Sequence, residues 1–413
     1  MLASLDPTPP AAVAGGILGQ VALSYAPMID RKRTVSATRL TVFPLVPGAS
    51  LDAGALLAEL ARVWPEGGGL VSLNLLSESL IEDLVLAQPS ANLMIEIPAF
   101  MASDEAQTEA LRRLHAAGGT LIIKGRPLRE LPRDLLPCFK HSIVALGEDR
   151  RVGEKTPAAQ QPRSIGFVQS DVHKLDDMEA SFARGAVAVL GWPMRDVIER
   201  SGDAAKAAGK GAADLQVMVD LVRQIDAEAS VDQLEATLKR DPALAFKLMR
   251  YMNSAAFGMT VEISSFRHAI MLLGHQRLKR WVALLLATGS KDPNLKPVMF
   301  AAVRRGMLME ELARSLDDPE MRNELFICGV FSLLDRMFNQ PFAELLKTVP
   351  VAERVSMALV EGNGPYAPYC RLVEAIEGDQ LDTIREACDG LLTEPAQINR
   401  ALLAALAKAS QID

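Results

Sequence analysis

His268 and His275 are the first place to look for a metal or proton-transfer site. They stand seven residues apart in HAIMLLGH, two turns of a helix, so both side chains could face the same way. No carboxylate cluster accompanies them there, and they read as core-edge or surface histidines. The four cysteines, Cys138, Cys328, Cys370 and Cys388, are scattered and never spaced C-x-x-C. That excludes a zinc ribbon or a disulfide framework and fits reduced, mostly buried thiols in the cytoplasm. The chain has no G-x-S-x-G, P-loop, G-x-G-x-x-G or H-E-x-x-H. The clusters GGILGQ and GGG read as turns before strands, and the methionines at 307, 309, 321 and 337 as adaptable core.

The elements that would position any site change character near residue 195. Before it, short β-branched or alternating runs recur: ILGQVALS, TVSATRLTVF, LVSLNL, LMIEI, TLIIK, SIVAL, IGFV and AVAVL. From the third run their starts lie about 21 to 28 residues apart, the length of a strand plus a crossover helix. Eight such units predict a (β/α) barrel, with a doubly wound open sheet as the alternative. After Trp192-Pro193 and the Ala/Gly/Lys-rich SGDAAKAAGKGAAD at 201–214, everything reads as helix. Asp241-Pro242 and Glu394-Pro395 are helix starts, and further helices are expected at 265–289, 296–316, 320–338, 350–360, 364–378 and 395–410. LFICGVFSLL at 325–334 is apolar all round and predicts the central helix of a bundle.

Length and composition agree with two domains: 413 residues, 49% hydrophobic and 23% charged. The net charge of −7 is spread over both halves, so neither is a basic nucleic-acid binder. No segment approaches the ~18 uninterrupted apolar residues of a membrane span. The expected division is a disordered leader at 1–16, a barrel at 17–197, a connector at 198–214 and an independently folding helical domain at 215–413.

Two stretches carry a family resemblance. DPALAFKLMRYMNSAAFGMTVEISSFRHAIMLLG at 241–274 and FICGVFSLLDRMFNQPFAELLKTVPV at 326–351 resemble the HDOD domain, with Asn253, Ser254 and Gly258 in its N-S-x-x-F-G turn. The first half resembles an EAL domain in outline, through Pro27, Ile29-Asp30, SLNLLSESL, IEIP and SFARGAVAVLGWPM. The resemblance implies an α/β plus all-α protein, an EAL-type barrel followed by a helical HDOD bundle, in a family whose active barrels hydrolyse cyclic di-GMP with divalent metals.

Carried over by position, Asn74 and Glu96 match two of that family's metal ligands. The E-A-L triplet falls on Thr38-Arg39-Leu40, and the paired aspartates fall at Ile123-Lys124, so Thr38 and Lys124 mark lost ligands. Ser142-Ile143-Val144 and Gln169 or Ser170 replace further charged positions, and Ala26 and Val42 replace expected nucleotide contacts. In the helical half, the His-Asp pair of related phosphohydrolases falls on Ser332-Leu333, and an upstream histidine near Arg304-Arg305. No metal, cofactor or catalytic residue is expected on this reading. Trp192 is placed to anchor the domain junction or to fill the barrel end, and the residues leave both open.

The expected function is a non-enzymatic signalling scaffold that binds a protein partner, compatible with a homo-oligomer and with no nucleic acid or membrane partner. The alternative is a sensor that binds cyclic di-GMP or another nucleotide without hydrolysing it.

Overall fold

The computed structural model describes residues 16–64, 69–87, 89–127, 130–149, 165–194, 211–240, 266–288, 292–338, 340–349 and 351–410. The predicted leader and most of the connector lie outside these, as do the helix start at Asp241 and the turn with Asn253, Ser254 and Gly258.

Eight strands close a barrel in sequence order: β1 (Val21–Asp30), β2 (Val35–Pro44), β3 (Val71–Leu75), β4 (Leu93–Pro98), β5 (Thr120–Lys124), β6 (Phe139–Ala145), β7 (Gly166–Ser170) and β8 (Ala188–Leu190). Closure removes the open-sheet alternative. β1 runs antiparallel to both neighbours, whereas every pair from β2 to β8 is parallel. The reversal comes from a tight hairpin in which the Asp30 carboxylate accepts the backbone N–H groups of Lys32 and Thr34, at 2.8 and 2.9 Å, while Arg33 takes a left-handed φ of 58°.

Strand alternation sorts the side chains into two layers. Met28, Ala37, Met94, Ile122, Ile143, Val168, Ala188 and Leu190 fill the barrel interior. The opposite faces pack outward against helices α1 (Ala53–Val63), α2 (Glu78–Leu86), α3 (Ala99–Ala102), α4 (Glu105–Ala116) and α5 (Leu175–Ala183). Asp52, Ser77 and Asp104 cap α1, α2 and α4 by accepting a first-turn backbone N–H, which is worth about 1 kcal/mol each.

Among the described residues beyond 210 all regular structure is helical: α6 (Gly211–Asp226), α7 (Val231–Leu238), α8 (Phe266–Thr288), α9 (Lys296–Leu312), α10 (Pro319–Phe331), α11 (Leu334–Phe338), α12 (Phe342–Thr348), α13 (Glu353–Ser356), a π-helical turn at Met357–Glu361, α14 (Ala367–Ile376), α15 (Leu381–Leu391) and α16 (Pro395–Ala409). α6 begins inside the expected connector. The predicted 320–338 helix breaks at Ser332, whose hydroxyl bonds the Gly329 carbonyl at 2.7 Å. α9 and α10 cross closely at Gly306 and Gly329, where a Cβ on Gly329 would lie 2.5 Å from the Arg305 carbonyl oxygen. Residues 325–331 are buried throughout, as the uniformly apolar run requires.

The outer face of β1 is closed from the far end of the chain. A hairpin supplies no crossover helix, and β8 pairs only with Met28–Asp30, so the first half of β1 has an open edge. Asn399 of α16 occupies that edge. Its Oδ1 accepts the Leu23 N–H at 3.1 Å, and its Nδ2 donates to the carbonyls of Leu18 and Val21, both at 2.8 Å. One continuous apolar core therefore runs from Val21, Leu23 and Tyr25 into Leu402, Leu403 and Leu406.

Candidate functional site

The interior of the barrel turns polar toward the C-terminal ends of its parallel strands, the end where this architecture places its sites. Two tiers stand there. In the lower one, the Arg39 guanidinium grips Glu96 with two bonds of 2.8 and 2.6 Å, and Ser72 Oγ donates to the same carboxylate at 2.8 Å. In the upper one, Lys124 Nζ donates to Asn74 Oδ1 at 2.7 Å, and Asn74 Nδ2 donates to Thr41 Oγ1 at 3.1 Å. Glu96 is 1% exposed and Asn74 4%. Burial pulls the Lys124 ammonium below its ordinary range, opposed by the nearby Glu96 carboxylate.

Asn74 and Lys124, read from separate strands, thus meet in the upper tier, and Glu96 stands in the lower one. Thr38 does not join them. It sits on the row of β2 with Leu40 and Val42, which pack toward the helices, whereas Ala37, Arg39 and Thr41 face inward. The inward residue of the Thr38-Arg39-Leu40 triplet is Arg39, so Thr38 is corrected as the ligand position: period-two alternation turns it away from the interior. Sequence reading also passed over Ser72 and Thr41, whose signal is their place on the inward rows beside Asn74.

The donor set does not fit the divalent metals that the EAL resemblance implies. Such ions need several hard oxygen ligands together. Among the described residues Glu96 is the one carboxylate in the network, and both its oxygens are held by Arg39. No group of three or more His, Cys, Asp or Glu side chains could hold a metal among the described residues.

The helical half places its expected positions around a different feature. Arg305 Nη1 donates to Ser332 Oγ at 3.1 Å, and the same guanidinium makes bonds of 2.8 and 2.6 Å to Glu377, which also accepts from Tyr25 Oη at 3.3 Å. Leu333 is buried beside them in sequence and carries no polar group. Trp192 Nε1 donates to the Glu377 carbonyl at 2.9 Å, and its ring meets Tyr25 edge-on at 5.4 Å and Phe300 at 6.3 Å. Both readings of Trp192 therefore describe part of its surroundings. His268 and His275 are separated by a break in α8, where Gly274 adopts φ 65° and ψ 173°, so they do not share one helical face.

Comparison with known proteins assigns part of the helical half. Residues 214–344 match the HDOD domain family. The chain carries an HDOD domain. Ahead of this HDOD domain, the barrel is similar to EAL domains of known structure. One is the EAL domain of DcpA from Mycobacterium smegmatis, with 17% identity, a TM-score of 0.30 and coverage of 41% of this chain and 90% of that one. Another is a standalone EAL protein from Vibrio cholerae O395 in a c-di-GMP-bound form, with 16% identity, a TM-score of 0.31 and coverage of 41% and 89%. Among curated proteins, the Vibrio cholerae cyclic di-GMP phosphodiesterase CdgJ is 23% identical over 322 residues, 76% of this chain and 73% of that protein. The uncharacterised YuxH of Bacillus subtilis is 28% identical over 184 residues, 43% of this chain and 44% of that protein.

These findings correct the expectation of a non-enzymatic scaffold. The match that spans most of the barrel–HDOD chain is to a protein named as a cyclic di-GMP phosphodiesterase. Replacements at ligand positions carried over by resemblance do not show that the barrel has ceased to handle the dinucleotide. No helix among the described residues is long and apolar enough to cross a membrane.

Proposed function

We propose that the protein acts in cyclic di-GMP signalling and that its barrel mouth takes the dinucleotide, with the phosphates directed at Lys124 and Arg39. The observation that supports this is the charge of the inward network: two cations against one carboxylate, with the ammonium on the last residue of β5. A guanidinium and an ammonium at a polar barrel end suit phosphate oxygens. Because Glu96 already neutralises Arg39, Lys124 supplies the net positive charge. A second reading, hydrolysis of the same ligand, is favoured by the name of the relative matched over 76% of the chain.

Calorimetric titration of the full chain with cyclic di-GMP tests the binding reading. A saturable isotherm is expected, weakened about tenfold or more in Lys124→Glu, or ~1.4 kcal/mol. No binding heat, or an isotherm indifferent to that substitution, would overturn it. The same samples, incubated with Mg²⁺ or Mn²⁺ and separated by chromatography, test hydrolysis: a linear dinucleotide product supports it, and intact ligand rejects it.

A further inference from the structure

The helical region holds a pair of nucleophilic groups that plays no part in the barrel site. Cys328 on α10 and Cys370 on α14 bring their sulfurs to 3.8 Å across a sequence separation of 42 residues. Cys328 is fully buried and Cys370 only partly. A disulfide requires about 2.05 Å between sulfurs, so the pair needs to close by less than two ångströms.

The two thiols are chemically distinct. The hydrogen bond shared with Cys328 lowers the Cys370 thiol, with burial and Glu374 opposing and Arg305 and Arg371 assisting. The same bond, together with burial, pushes the Cys328 thiol well up. Cys370, the more accessible of the two residues, is thus placed as the attacking thiol, and buried Cys328 stands behind it as a resolving thiol.

We propose that Cys370 and Cys328 form an oxidisable dithiol, a modification site whose oxidant is hydrogen peroxide. The Cys370 thiolate attacks one peroxide oxygen, the O–O bond breaks, and the departing hydroxide takes a proton to leave as water, giving a sulfenic acid on Cys370. Cys328 then attacks that sulfur as its thiolate. The S–O bond breaks, a second water leaves with the Cys328 proton, and the S–S bond forms. Two thiols are oxidised and one peroxide is reduced to two waters. The bond would tie α10 to α14, the helix whose end presents Glu377 to Arg305, Tyr25 and Trp192.

The test treats the reduced full chain with equimolar hydrogen peroxide, alkylates the remaining thiols and maps the peptides without reduction. The expected result is one linked pair, the Cys328 peptide joined to the Cys370 peptide and lighter by two hydrogen atoms, with Cys138 and Cys388 alkylated. In Cys328→Ser a sulfenic acid on Cys370 should be captured by a dimedone probe. In Cys370→Ser, Cys328 should stay reduced. Four alkylated cysteines in the peroxide-treated wild-type chain, a link to Cys138 or Cys388, or first oxidation at Cys328 would each overturn the proposal.

Discussion

Arg39 and Glu96 hold each other in a place where neither is tolerated alone. Glu96 is buried, so Arg39→Ala leaves a carboxylate with Ser72 as its only described partner and should cost about 3–5 kcal/mol in urea unfolding. Arg39→Met combined with Glu96→Leu should recover most of that loss, because the pair is bordered by the apolar layer of Met94 and Ile122. Lys124 makes two predictions of opposite sign. Its folded pKa lies below 10.5, so between that lowered value and 10.5 the unfolded chain binds more protons. The stability contributed at this site therefore rises with pH across that window. Phosphate binding falls over the same window as the ammonium becomes neutral. Titrations with cyclic di-GMP at increasing pH should show this weakening, and Lys124→Arg, which stays charged, should flatten it. Asn74, Glu96 and Lys124 were legible one by one in the sequence, each carried over by position from the family resemblance. The Arg39–Glu96 bond was not, because its partners lie on β2 and β4 and only the phase of the first hairpin decides whether Thr38 or Arg39 faces inward.

At the scale of elements, the strands were the most readable part, since β-branched runs at regular spacing leave few other options. α15 was missed: its apolar positions Leu381, Ile384 and Cys388 are interrupted by Asp, Arg and Glu residues and make sense only against the bundle. The role of α16 was equally hidden. Its helical pattern was plain, yet nothing local marks Asn399 as the partner of a strand nearly the whole chain away. Asn399→Ala removes three hydrogen bonds and leaves the Leu23 N–H and two carbonyls buried without this partner. At roughly 1–3 kcal/mol per unsatisfied group, partly relieved by relaxation, a loss of about 2–5 kcal/mol is expected. Hydrogen exchange supplies the specific readout. The Leu23 amide should lose protection in this variant by more than amides of β4 or β5, and uniform loss across the barrel would mean that α16 acts through packing alone.

For the whole molecule, length and the change of periodicity near 195 suggested two bodies, and the described structure joins them through one core. The junction combines a buried ion pair, Arg305–Glu377, with the Tyr25, Trp192 and Phe300 rings, so neither half presents a finished surface to water. Separation at 197–215 would expose Val21, Leu23 and Tyr25 on one side and, on the other, an Arg305–Glu377 pair stripped of its Tyr25 and Trp192 neighbours. The contrast between fragment and full chain can be read at Trp192. In the full chain the indole is buried among groups from both halves, and Trp192→Ala should cost about 3–5 kcal/mol, the usual loss for a large buried aromatic. In a 17–197 fragment Phe300 and the Glu377 carbonyl are absent, only Tyr25 remains of its ring partners, and the same substitution should cost roughly half as much. Urea unfolding of the four proteins measures both costs. Equal costs would place the tryptophan wholly in the barrel core and leave the Tyr25–Glu377 hydrogen bond and Asn399 to hold the junction. A larger cost in the full chain would measure how much of the coupling between barrel and bundle passes through this one side chain.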